Sequence, residues 1–191
     1  SLNSFTVKPF VFICTLLLLL AGMLPIHGQS FDWYNIATDS PRPSARSGHG
    51  MVYDPVHAKL ILFGGADSTG TRNDVWEFDT ATRHWTNVTP SSGPMPVPRS
   101  NFGMALDENR GVVVVYGGNC GTNCVEYGNV AIVGDTWEWN TSTRSWRKGP
   151  NTIPIFVGLR GSALAYDPTR QQVIAFSGKP YWCPYCENRT W

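Results

Sequence analysis

The chain has 191 residues, with 15 Lys and Arg against 14 Asp and Glu, and 42% of its residues are hydrophobic. That much apolar material builds a sizeable core and excludes a disordered chain. Charge this evenly spread, with no basic block or acidic tail, gives no footing for nucleic acid or an electrostatic membrane patch.

In chain order, the first element is a leader. Lys8 precedes the apolar run "PFVFICTLLLLLAGMLPIHG", which has the length of a signal-peptide core, and Gly28 before Gln29 offers a cleavage point. Residues 1–28 are therefore expected to be a signal peptide that is removed, giving a secreted, extracellular or periplasmic protein with no membrane contact of its own. The competing reading is an uncleaved anchor, because the run approaches the roughly 20 residues a spanning helix needs. Pro25 and the polar sequence that follows favour cleavage. Met23 stands where a lipoprotein would need cysteine, and a first residue of Ser suggests that the gene product begins upstream.

After the leader the sequence repeats itself. "ARSGHGMVYDP" (Ala45 to Pro55) returns as "PRSNFGMALDE" (Pro98 to Glu108) and as "LRGSALAYDPT" (Leu159 to Thr169). Each copy leads through a polar turn into an apolar run, "KLILFGG", "VVVVYGG" or "QVIAFSG", and then through a loop to "NDVWEFD", "GDTWEWN" or "NRTW". Aligned on Arg46, Arg99 and Arg160, the copies are spaced by 53 and then 61 residues, with the difference in loops. The runs are short, β-branched or aromatic, and bounded by Gly, Asp, Pro, Asn and Thr, which predicts strands and turns rather than helices. Gly111 to Tyr116 and Val173 to Phe176 are expected as central strands. The "YDP" and "LDE" corners supply an Asp whose carboxylate bonds amides two residues on. The glycine pair ends the second strand where a side chain would obstruct close approach of another backbone.

A four-stranded unit repeated at about 50 residues is a propeller blade. With the pairs Gly64-Gly65 and Gly117-Gly118, the aromatics Phe78 and Trp139, and Trp85 and Trp146, the chain resembles the kelch family, related to galactose oxidase. The resemblance implies an all-β propeller of four-stranded antiparallel blades, about three of them present. The family's usual tyrosine is here Phe78 or Trp139, and the third glycine pair is Ser177-Gly178. The expected layout is a propeller over 29–191: a closing outer strand and linker over 29–44, containing "FDWYN", then blades over 45–97 and 98–158 and a truncated blade over 159–191. Three blades do not close a ring, so the chain reads as the first part of a longer propeller, with the missing C-terminal blades of the same chain as its natural neighbours.

Candidate ligand-binding residues cluster where each unit begins. Arg46, Arg99 and Arg160, taken as equivalents, hold carboxylate or sulfate groups on one face in the functional reading, or pair with loop carbonyls and acids in the structural one. His49, set beside Asn101 and Gly161 in this alignment, is expected near the axis. As a metal ligand it would need partners that His57 and His84 do not offer, so no metal and no cofactor are expected. "DSTGTRND" (Asp67 to Asp74) lacks the acidic spacing of a calcium loop. Cys14 leaves with the leader. Cys120, Cys124, Cys183 and Cys186 remain and are expected to form disulfides in an exported chain. Local pairing, Cys120–Cys124 and Cys183–Cys186, closes the shortest loops; cross-pairing, a zinc site or redox activity are the alternatives. No catalytic constellation is visible. The function expected is an extracellular interaction module for a protein or glycan. The alternative is a galactose-oxidase-like or sugar-isomerising enzyme whose catalytic residues lie in further blades.

Overall fold

Short apolar runs, closed either by an Asp or Asn that caps the next turn or by a glycine pair, pair as strands with their sequence neighbours. In the computed structural model the structure describes residues 41–121, 131–150, 158–180 and 187–190, the side chains of 187–189 excepted. These lie in the second of the chain's two compact units, Ile36–Trp191; the leader and "FDWYN" fall in residues outside the described ones. No helix occurs among the described residues, and all the named strands are antiparallel to their partners.

The first sheet is a meander of β1 (Gly50–Asp54), β2 (Lys59–Phe63), β5 (Val75–Asp79) and β6 (Trp85–Asn87), with a small hairpin of β3 (Ala66–Asp67) and β4 (Gly70–Thr71) between its second and third strands. The second repeats the order with β7 (Gly103–Asp107), β8 (Val112–Tyr116), β9 (Thr136–Asn140) and β10 (Ser145–Lys148). The third holds β11 (Leu159–Arg160), β12 (Ala163–Asp167), β13 (Gln172–Pro180) and β14 (Glu187–Thr190), with β13 central and β11 pairing its far end. Both expected central strands are central.

The turns follow the side-chain logic of the sequence. Asp54 Oδ1 accepts the Val56 and His57 amides at 2.9 and 3.3 Å, and Asp167 does the same for Thr169 and Arg170. Asp79 and Asn140 cap the next hairpin of their sheets in the same way, onto Ala81 and Thr82 and onto Ser142 and Thr143. Asp79 and Asp167 are held below the usual carboxylate range by those donors, Asp167 first by Arg170.

Consecutive sheets pack face to face. Ile61, Phe63 and Val75 of the first meet Phe102, Leu106, Val113, Val115, Trp137, Trp139 and Trp146 of the second in one buried cluster. Phe63 bridges this seam, with ring centroids 5.2 Å from Phe102 and 4.8 Å from Trp146. Within each sheet the aromatics that carry the family resemblance stack in pairs, Phe78 on Trp85 at 5.1 Å and Trp139 on Trp146 at 5.2 Å. The glycine pairs make the seams possible. A Cβ on Gly64 or Gly117 would overlap the carbonyl oxygen of Arg99 or Leu159, the first residues of the next sheet's entry strand. The following amides, Gly65 and Gly118, donate to those same oxygens at 2.9 and 2.8 Å.

Candidate functional site

Strand register shows which residues are equivalent. Gly50, Gly103 and Ala163 pair with Phe63, Tyr116 and Phe176, the last residues before the three glycine-pair positions. Counting back, Leu159 occupies the position of Arg46 and Arg99, and Arg160 that of Ser47 and Ser100. The expected equivalence of Arg160 with the other two arginines is therefore off by one residue. An alignment anchored on arginine displaces the third unit by one residue, because Asp167 follows Leu159, not Arg160, at the distance at which Asp54 follows Arg46. The same shift makes Gly48, Asn101 and Gly161 equivalent, all at positive φ (62°, 54° and 74°). His49 matches Phe102 and Ser162, not Asn101 and Gly161.

The two true equivalents build the same device twice. Arg46 meets Asp74 with Nη1 on Oδ1 at 2.6 Å and Nη2 on Oδ2 at 3.0 Å, while Nη1 also donates to Gly64 O at 2.9 Å. Arg99 meets Asp135 at 2.6 and 3.1 Å and donates to Gly117 O at 3.0 Å. Each Asp takes a further bond from the indole two residues on, Trp76 Nε1 at 2.7 Å and Trp137 Nε1 at 2.6 Å. A forked pair of this kind fixes both partners, so the entry segment, the glycine-pair carbonyl and the third strand are locked together at one end of the sheet. Arg99 is fully buried and Asp135 nearly so. Burial works to raise the Asp74 pKa, but the bonds from Arg46 and Trp76 outweigh it and hold the carboxyl below its ordinary value. In the third sheet the register puts Leu159 at the arginine position and Arg189 at the aspartate position. The pair is absent there.

The arginine end of the sheets presents the rest of the candidates. Asn101 is exposed, its amide donates to Gly48 O at 2.8 Å, and its carbonyl accepts from Gly161 at 2.7 Å, so three consecutive entry segments are stitched in a row. Arg160 is half-buried opposite Lys179 in the β11–β13 ladder, where the first two sheets have Ser47 opposite Ala66 and Ser100 opposite Asn119. Arg160 forms no ion pair among the described residues. His49 is exposed. In the loop between β2 and β5, Asp67 accepts from Arg72, Ser44 and Thr69, which holds its carboxyl far below the usual range, and no group of ligands suited to a metal occurs among the described residues. Cys120 is buried and disulfide-bonded; Cys124, Cys183 and Cys186 lie outside the described residues.

Sequence reasoning passed over two buried glutamates. Glu77 and Glu138 sit at the same position of the third strands and are about 95% buried. Glu77 accepts from Lys59 at 3.1 Å and from Arg144 of the next sheet at 2.8 Å. Glu138 accepts from Arg110 at 2.7 Å and from Arg147 at 2.6 Å. Their signal was present in "VWEFD" and "TWEWN", an acid between aromatic residues in a strand, recurring in register.

A family model for the KLHDC2/KLHL20/DRC7 Kelch-repeats domain matches residues 23–189. The chain is also 27% identical over 173 residues to Mei4-dependent protein 6 of Schizosaccharomyces pombe, covering 82% of this chain and 24% of that protein. It is 30% identical over 146 residues to Tip elongation aberrant protein 3 of the same yeast, covering 62% of this chain and 12% of that protein. It thus spans a quarter or less of the length of these curated relatives.

Proposed function

The chain belongs to the kelch-repeat family, and from that premise we propose a secreted interaction module that binds an extracellular protein or glycan through the loops at the arginine end of its sheets. One observation carries the reading. The bidentate Arg46–Asp74 and Arg99–Asp135 pairs turn their charges inward and hold the loop bases rigid. A preorganised loop end loses little entropy when a partner docks, which is how such surfaces gain affinity. Asn101 and Arg160, outside those pairs, are the side chains we assign to ligand contact. Export is supported by the leader sequence and by the even number of cysteines that remain after it.

Cross-linking of the exported protein to its partner, read by mass spectrometry, tests the binding half. Cross-links are expected around Asn101 and Arg160, with capture lost in R160E and kept in T82E, a turn at the other end of the first sheet. Cross-links confined to that other end would refute the assignment. Expression of the full chain behind its own leader tests export. A product beginning at Gln29, with its remaining four cysteines oxidised, is expected outside the cytosol. A reduced, uncleaved chain retained inside the cell would overturn it.

A further inference from the structure

At the end of the sheets away from the arginine pairs, the mouth of the first seam holds a cavity of about 150 Å³. The corner between β1 and β2 supplies one wall and the β9–β10 turn the other, so both walls come from four-stranded sheets of this chain. Asp54, His57, Lys59, Glu77, Ser142 and Arg144 line it. Both acids are buried and engaged on both oxygens. Asp54 Oδ1 holds the Val56 and His57 amides, and Oδ2 meets His57 Nδ1 at 2.7 Å. Glu77 Oε1 accepts from Arg144 Nε at 3.2 Å, and Oε2 from Lys59 Nζ at 3.1 Å and Arg144 Nη2 at 2.8 Å. What the walls have left is donors. Lys59 Nζ keeps N–H groups beyond its bond to Glu77, and Arg144 Nη1 and the Ser142 hydroxyl have no partner among the described residues.

This is also where the repeat departs from itself. By register, Arg110 and Val112 of the second sheet stand where His57 and Lys59 stand in the first. There Arg110 serves both acids, Asp107 at 2.6 Å and Glu138 at 2.7 Å, with Arg147 beside it on Glu138. The first sheet divides that work. His57 holds the corner acid, while Lys59 and Arg144 meet Glu77 from opposite sides of the seam. Bracing alone needs no such change, and its result is a set of donors from two sheets around one cavity. We propose that this cavity binds a small oxyanion, the phosphate, sulfate or carboxylate group of a ligand, through Lys59 Nζ, Arg144 Nη1 and the Ser142 hydroxyl, with the His57 ring along its side. Charged oxygens take strong bonds from donors of this kind, and a space of this size admits one such group. Asp54 and Glu77 hold the donors in place and keep the two cations from repelling one another. The site stands apart from the loops at the arginine end, and its ligand would join the first sheet to the second.

The test is NMR on the purified chain titrated with inorganic phosphate at fixed pH, with chloride holding the ionic strength constant. Saturable shifts are expected at the amides of Ser142 and Arg144 and at the His57 ring, and none at the rings of His49 and His84. Sulfate and acetate are expected to shift the same residues, and the tightest of the three names the group the site takes. Lys59→Met weakens phosphate at least about tenfold and Ser142→Ala about fivefold. Arg147→Ala, which removes an exposed cation of the second sheet outside the cavity, leaves the affinity unchanged. Near-UV circular dichroism confirms that each variant is folded, and Ser142→Ala removes a hydroxyl on which no other group depends. Shifts that rise linearly without saturating overturn the proposal. Saturable shifts centred away from Ser142, Arg144 and His57, or folded Lys59→Met and Ser142→Ala variants that bind phosphate as wild type does, overturn it equally.

Discussion

At the scale of single residues, Arg99 is a fully buried cation whose neutraliser, Asp135, is almost as deep. Breaking such a pair by removing one partner leaves an uncompensated charge, whereas removing both is far milder. R99L should therefore destabilise by about 3–5 kcal/mol, and R99L/D135N should recover much of that loss, since Asn can still accept from Trp137 Nε1. Leu159 at the same position of the third sheet shows that the seat accepts a leucine. Urea unfolding of the two variants decides it; equal losses would mean that the guanidinium acts through packing alone. Asp74 gives the matching acid prediction. Its folded pKa lies below the unfolded value of 3.8. The stability it contributes is thus fully present above that value and is lost as pH falls through the folded pKa. Wild type should hold its stability down to about pH 4 and lose it below, and D74N should be weaker at neutral pH with a shallower acid loss.

At the scale of strands and turns, the sequence showed most of the architecture, because local chemistry and tertiary context agree there. Asp54, Asp79, Asn140 and Asp167 cap turns by bonds that depend on near neighbours alone, and a short, continuously apolar run such as Val112–Tyr116 is a central strand buried on both faces. What was misread was register in the third unit. An arginine sits one residue after the true equivalent, Leu159, and anchoring on it displaces the alignment. The spacing to Asp167 and the ladder from Ala163 to Phe176 both reveal the shift. The buried glutamates escaped for a different reason, since their cations come from other strands, and for Glu77 from another sheet. The glycine pair was legible, and its structural reason is sharper than the sequence allowed. Gly117 has φ +68° and would drive a Cβ into the Leu159 backbone, whereas at Gly111, φ +62°, a Cβ would meet only Thr141 Oγ1, at an ordinary 3.9 Å. G111A should cost the left-handed strain alone, about 1–2 kcal/mol. G117A should cost clearly more, because backbone in the next sheet must shift as well. Thermal denaturation of both variants checks this, and equal costs would remove the argument that the pair exists for the seam.

At the scale of the whole molecule, stacked repeats owe their stability largely to nearest-neighbour interfaces, so a seam should behave as a unit. Among the described residues the first seam carries an ion pair beside its apolar contacts: Glu77 of the first sheet, 4% exposed, receives Arg144 from the β9–β10 turn of the second as well as Lys59 from its own sheet. Arg144 is half exposed, and removing it still leaves Glu77 with Lys59, so R144A should cost no more than about 1 kcal/mol. E77A instead strands two cations at the mouth of the seam and opens space beside Ile61, so its cost should be several times larger. Because the ion pair joins two sheets, the loss should appear in both. Hydrogen exchange in E77A should quicken across Gly50–Phe63 and across Gly103–Tyr116, while Ala163–Phe176, one seam further on, changes much less. Exchange that quickens in the first sheet alone would show that Glu77 serves its own sheet and that the seam is held by Phe63 and its aromatic partners. Uniform quickening through all three sheets would show that they unfold as one cooperative body.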